Sequence, residues 1–140
     1  MVGNNQEKEI RTDRLYLRRF CKEDLDAYAK IMGDYEVGKW FPKGDGYTLE
    51  EAKKSLDNIL EHWDKHNFGI WAITDKEKSV LIGRCGLNFI TETAEVEIDF
   101  VLAREFWGKG YATEAAKAAL VYGFDILKLD RIIALAKPEN

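Results

Sequence analysis

The stretch from Glu95 to Leu127 constrains this chain more than any other. It opens as Glu95-Val96-Glu97-Ile98-Asp99-Phe100-Val101-Leu102, with charged and apolar residues alternating. Successive side chains of a strand point to opposite faces, so Glu95, Glu97 and Asp99 share one face and Val96, Ile98 and Phe100 the other. A glycine-bearing loop, Ala103 to Gly110, runs directly into a predicted helix from Tyr111 to Leu127. Ala112, Ala115, Ala116, Ala119, Leu120 and Gly123 give that helix a face of small residues, which lets it pack close to a sheet.

The junction also points to a ligand. The first amides of a helix have no internal partners, and with the helix dipole they form an anion site. Gly108 and Gly110 allow a tight turn and close approach of a phosphate, and Lys109 adds positive charge. A phosphate or pyrophosphate is therefore expected here. It is held by neither common glycine signature. G-x-x-x-x-G-K-[ST] is absent, and G-x-G-x-x-G fails because Thr113 stands at its last glycine.

The remaining pattern sets an α/β frame. Arg14 to Phe20 alternates as a strand, and Leu25, Tyr28, Ala29 and Met32 follow at helical spacing, ended by Gly33. Asp34 to Tyr47 reads as a loop rich in aromatics and glycine. Thr48 and Glu51 then form a capping box that opens a helix running to about His66. Gly69 to Thr74, Val80 to Ile90 and Glu95 to Leu102 read as an antiparallel meander with short turns, and Arg131 to Ala136 as a last strand stopped by Pro138. The order β-α-α-β-β-β-α-β predicts a mixed, mostly antiparallel sheet with helices on both faces. Residues 1–9 read as a loose tail and residues 10–140 as one domain.

Composition excludes several classes. The formal net charge of -4 offers no basic face to nucleic acid and suits a cationic amine better. The polar start of the chain carries no signal core, and no apolar run approaches the roughly 20 residues of a membrane span. The two cysteines, Cys21 and Cys85, form neither a disulfide framework nor a metal spacing, which fits free thiols in a reducing cytoplasm. His62 and His66 lie four apart on a helix, but the metalloprotease glutamate is missing between them, so a solvated helix end and no metal are expected.

Val96 to Leu102 followed by Trp107-Gly108-Lys109-Gly110-Tyr111-Ala112-Thr113-Glu114-Ala115 resembles the central motif of the GCN5-related N-acetyltransferases (GNAT). Its tryptophan form is similar to the RimJ/RimL-type, ribosomal-protein branch. Arg11 to Arg18, Ile82 to Leu87 and Lys137 to Asn140 resemble further family segments. The resemblance implies transfer of acetyl from acetyl-coenzyme A, without metal, to a primary amine on a protein N-terminus or a small molecule. It also leaves open a coenzyme-binding module without turnover. It implies that Trp107, Gly108, Lys109, Gly110, Tyr111, Ala112 and Thr113 hold the pyrophosphate. Phe100, Val101 and Leu102 would pair with the pantetheine arm, and Asn140 would turn toward it.

An amine must lose a proton before it attacks, and a carboxylate can take it. The resemblance places Glu97 near the transfer site as that base. Asp99 is a candidate for binding substrate. Trp40 and Phe41 either line the acceptor pocket, as the corresponding loop does in the family, or anchor that loop to the core. Beyond Asn140 the family carries a further helix and strand with the leaving-group acid. Without them, the edge at Ile132, Ala134 and Ala136 is expected to need cover, as in a homodimer.

Overall fold

Ile10–Arg11 (β1) and Leu15–Arg18 (β2) open the fold as a hairpin, with Ile10 opposite Leu17 and Arg11 opposite Tyr16. Leu15 and Leu17 are fully buried while Tyr16 and Arg18 stay partly exposed, the alternation expected of a half-buried strand. The computed structural model describes residues 8–135. Most of the proposed N-terminal tail, together with Ala136 and Asn140, lies outside the described residues.

Three α-helices precede the rest of the sheet among the described residues. Leu25–Met32 (α1) buries Tyr28, Ile31 and Met32 and ends at Gly33. The segment read as a loop contains a one-turn helix, Tyr35–Gly38 (α2), whose start is capped by Asp34 accepting from the Glu36 amide at 3.0 Å. A single turn is too short to carry a helical period, so the sequence pattern cannot show it. Leu49–His66 (α3) begins with the expected reciprocal cap. The Thr48 amide donates to Glu51 at 2.8 Å, and the Glu51 amide donates to the Thr48 hydroxyl at 3.1 Å.

Ile70–Asp75 (β3), Leu81–Ile90 (β4) and Glu95–Leu102 (β5) follow as the meander. The strands lie in the order β1-β2-β3-β4-β5, antiparallel throughout, with one more strand beyond β5. The final strand, β6, is shorter than expected. It comprises Ile133–Ala134 and pairs parallel to β5 at Glu97 and Ile98. Arg131 instead reaches across to Glu95, with Nη2 2.6 Å from Oε2.

The helix leading to β6 also ends earlier than expected. Tyr111–Val121 (α4) is α-helical, and Tyr122–Ile126 widens into a π turn closed by the Leu127 amide on the Tyr122 carbonyl at 3.0 Å. Gly123 lies in this turn, and a Cβ there would fall 2.6 Å from Ile132 Cδ1 and 3.1 Å from Leu87 Cδ1, so glycine lets the turn pack this closely. The small-residue face is used as expected: Ala115 and Ala119 are fully buried. Because α4 lies against Leu87 while α1 and α3 reach Arg84, on the opposite face of β4, the sheet carries helices on both sides. Parallel β5 and β6 require that crossover, whereas short turns suffice for the meander.

Candidate active site

The end of β5 is a wall shared by two features. On its outward side lies the glycine loop. Gly108 and Gly110 hold φ of 74° and 82°, the left-handed region that glycine enters without a Cβ clash. Gly110 is the N-cap of α4 and no side chain caps the helix. The first intrahelical bond runs from the Glu114 amide to the Gly110 carbonyl, at 3.0 Å. The amides of Tyr111, Ala112 and Thr113 thus have no partner within the helix, at the positive end of its dipole. A Cβ on Gly108 would meet nothing within 4 Å, so the surface above the loop is open. The Trp107 indole donates to the Leu102 carbonyl at 2.9 Å and ties the loop to β5.

The β5 edge itself is partly free. Asp99 and Val101 turn their main-chain groups toward β4, as the ladder of Gly86 with Asp99 and Arg84 with Val101 requires. Those of Phe100 and Leu102 therefore face outward. Among the described residues β6 covers this edge only at Glu97 and Ile98.

On the other face, a cavity of about 520 Å³ opens between α3 and strands β4 and β5. Tyr47, Ser55, Asn58, Arg84, Asn88 and Asp99 are among its lining residues. A partly buried polar chain forms its floor. Arg84 Nε and Nη2 grip Asp99 at 2.8 and 3.1 Å, Arg84 Nη1 donates to the Tyr28 hydroxyl at 2.8 Å, and Tyr28 meets Ser55 Oγ at 2.7 Å. Burial alone would lower the pKa of Arg84, but the Asp99 charge outweighs it and holds the guanidinium above its ordinary value. Burial likewise pushes the Tyr28 phenol up, against the opposing pull of Arg84. Beside this chain, Asn88 Nδ2 donates to Glu97 Oε1 at 3.1 Å.

The sequence profile of the acetyltransferase (GNAT) domain matches residues 14–140. The chain belongs to the GNAT acetyltransferases. It is 35% identical over 130 residues to the uncharacterized N-acetyltransferase p20 of Bacillus licheniformis, spanning 92% of this chain and 73% of that protein. It is 32% identical over 131 residues to the spermidine N(1)-acetyltransferase of Escherichia coli K12, spanning 89% of this chain and 64% of that one. A solved acetyltransferase from Agrobacterium tumefaciens superposes with a TM-score of 0.83 at 29% identity, over 94% of this chain and 75% of that one.

The GNAT fold brings some of the expected residues together and separates others. Trp107 to Thr113, Phe100 to Leu102, Glu97 and Asp99 all lie on β5 or in the loop and helix start that follow it. Phe41 is buried and packs on Tyr47, with ring centres 4.9 Å apart, while Trp40 is exposed beside Lys39. Neither lines the cavity; Tyr47 is the member of that loop that does. His62 is not at a solvated helix end. Its Nδ1 bonds the Phe68 carbonyl at 2.8 Å, and its Nε2 accepts from the Phe89 amide at 2.9 Å. Because Nε2 accepts, the proton sits on Nδ1 and the ring is neutral. The ring thereby serves the part of β4 that runs on past β3.

The Arg84–Asp99 pair was missed from sequence, although Arg84 stands diagonal to Asp99 once the β4–β5 register is known. Among the described residues no group of three His, Cys, Asp or Glu side chains could hold a metal. No helix among them is long and apolar enough to cross a membrane.

Proposed function

We propose that this GNAT domain binds acetyl-coenzyme A along the outward edge of β5 and an amine in the cavity on its other face. A single observation supports this most: β5 separates a cradle of unpartnered amides from a polar, partly enclosed cavity. The amides of Tyr111, Ala112 and Thr113, with Gly108 and Gly110, suit a pyrophosphate. The outward main-chain groups of Phe100 and Leu102 suit the amides of a pantetheine arm, as a strand edge suits an added strand. Trp107 and Lys109 complete the loop, and Val101 keeps β5 in register with β4. The coenzyme supplies the thioester-activated acetyl group. The carbonyl of Leu102 already accepts from Trp107, so the Phe100 groups are the freer pair.

Glu97 is the base in this reading. Asn88 holds one of its carboxylate oxygens, and among the described residues the other oxygen has no hydrogen-bond partner. Oε2 can therefore take the proton of an incoming ammonium, freeing the nitrogen lone pair for attack on the acetyl carbon. The C–S bond breaks as the C–N bond forms, and the second proton the nitrogen loses goes to the departing coenzyme thiolate. Asp99 serves the acceptor side indirectly, since both its oxygens are held by Arg84. The acceptor is a primary amine of a protein N-terminus or a small molecule. The net charge of -4 favours a cation, and the spermidine-acetylating relative makes polyamines a natural part of the panel. The Trp107-containing loop aligns the chain with the RimJ/RimL-type branch, which makes N-terminal peptides the other part.

Thiol release from acetyl-coenzyme A with polyamines, amino acids and N-terminal peptides tests this reading. In the protein that turns over, Glu97→Gln should lower kcat by about 10²-fold or more, the usual contribution of a positioned base. A parent-like rate in that variant between about pH 6 and 9 would remove Glu97 from the mechanism.

A further inference from the structure

The opening hairpin reaches the phosphate loop from outside the motif. Glu114 lies in the first turn of α4, and its carboxylate is fully engaged. It accepts from Thr12 Oγ1 at 2.6 Å, from the Arg14 amide at 2.8 Å and from Arg14 Nε at 2.7 Å. Arg14 then continues into the loop. Its Nη1 donates to the Lys109 carbonyl at 2.8 Å, and its guanidinium lies 4.2 Å over the centre of the Tyr111 ring. Its Nη2 would be 3.3 Å from a Cβ placed on Gly110. One side chain thus contacts or borders Lys109, Gly110, Tyr111 and Glu114.

Two physical needs meet here. Gly108 and Gly110 have the widest conformational freedom of any residue, and no side chain caps the helix they precede. Something else must hold the turn in its ligand-accepting form. Glu114 is also an anion within one turn of amides that would receive another anion, so its charge opposes the ligand unless it is cancelled. Burial works against its charged form, yet Thr12 and Arg14 prevail and hold the carboxyl below its ordinary value.

We propose that Arg14, braced by Thr12 and Glu114, is a positioning residue for the pyrophosphate: it fixes the Lys109–Tyr111 turn and cancels the Glu114 charge. This rests on the proposal that the loop holds the pyrophosphate of coenzyme A. A purely structural bridge would behave differently. Arg14 is 41% exposed, and exposed ion pairs contribute little to stability.

The test is calorimetric titration with coenzyme A and with pantetheine, which lacks the pyrophosphate. For Arg14→Gln the Kd of coenzyme A should rise about tenfold, the effect expected from losing a charge-assisted contact that shapes a site. The Kd of pantetheine should not change. Arg14→Lys should recover only part of the loss, since an ammonium restores charge without the guanidinium fork. Adding Glu114→Gln to Arg14→Gln should also recover part, because it removes the uncancelled anion. Coenzyme A affinity within about twofold of the parent in Arg14→Gln would overturn the proposal. An equal loss for both ligands would overturn it too, as a general disturbance. If the parent itself binds the two ligands equally, the pyrophosphate reading fails first and takes this one with it.

Discussion

Breaking the Arg84–Asp99 pair from one side should be costly. The Arg84 side chain is 12% exposed and that of Asp99 25% exposed. Asp99 supplies both charge-assisted contacts, and the other partner of Arg84 is the uncharged Tyr28 hydroxyl. Asp99→Leu therefore leaves a buried guanidinium with one neutral acceptor. Removing one partner of a buried pair costs about 3–5 kcal/mol. Because Asp99 borders the cavity and water can enter from that side, the lower end applies. About 3 kcal/mol corresponds to a fall of roughly 9 °C in melting midpoint for a chain of this length. Replacing both groups, as Arg84→Met with Asp99→Leu, should return stability to within about 1 kcal/mol of the parent, since matched apolar residues remove both charges. Urea unfolding followed by tryptophan fluorescence completes the double-mutant cycle. If Asp99→Leu cost under about 1 kcal/mol, or the two changes simply added, the pair would not be the buried, mutually dependent unit described here.

Three further outcomes are expected. Thr48→Ala removes the hydroxyl that caps α3 and should lower stability by about 1 kcal/mol in urea unfolding; no change would mean that Glu51 alone holds the end. Burial holds the pKa of His62 below its ordinary value, so its contribution to stability is complete above about pH 6.5. It declines as pH falls through the window between the unfolded and folded pKa, and His62→Gln should flatten that slope in urea midpoints; coincident pH profiles would remove His62 as its source. Cys21 is exposed while Cys85 is buried with its thiol pushed well up. One thiol should react in the native protein and two in denaturant, whereas fast native labelling of both would show that the β4 core opens readily.

The strand–loop–helix segment was legible because its signals are local. Alternation, two glycines and a run of small residues each act over a few positions, and the capping box at Thr48 is of the same kind. The cavity beside α3 was less legible. Arg84, Tyr28 and Ser55 come from β4, α1 and α3, and nothing in their spacing announces that they meet Asp99. Trp40 and Phe41 show the converse: an aromatic pair suits a pocket wall or a core anchor alike, and Phe41 takes the second role. The expectation of a solvated helix end at His62 also failed, because the strand end that His62 serves is distant in sequence. The close packing of Ile132 and Leu87 on Gly123, in the π turn after Val121, is a tertiary fit that a helical period cannot carry.

The parallel pairing of β6 has a consequence for the order in which the sheet assembles and opens. Strands β3 to β5 are neighbours in both sequence and space, so each closes a short loop onto the last at small entropic cost. β6 can join only after α4 has packed across the sheet, and it is held by two residue pairs. The amides in the part of β4 flanked by both β3 and β5 should be the last to exchange with solvent, and those of β6 among the first. A coenzyme bound beside β5 would then act on the least protected part of the sheet. Its binding energy would slow the opening of that edge by mass action while leaving the central hairpins unchanged.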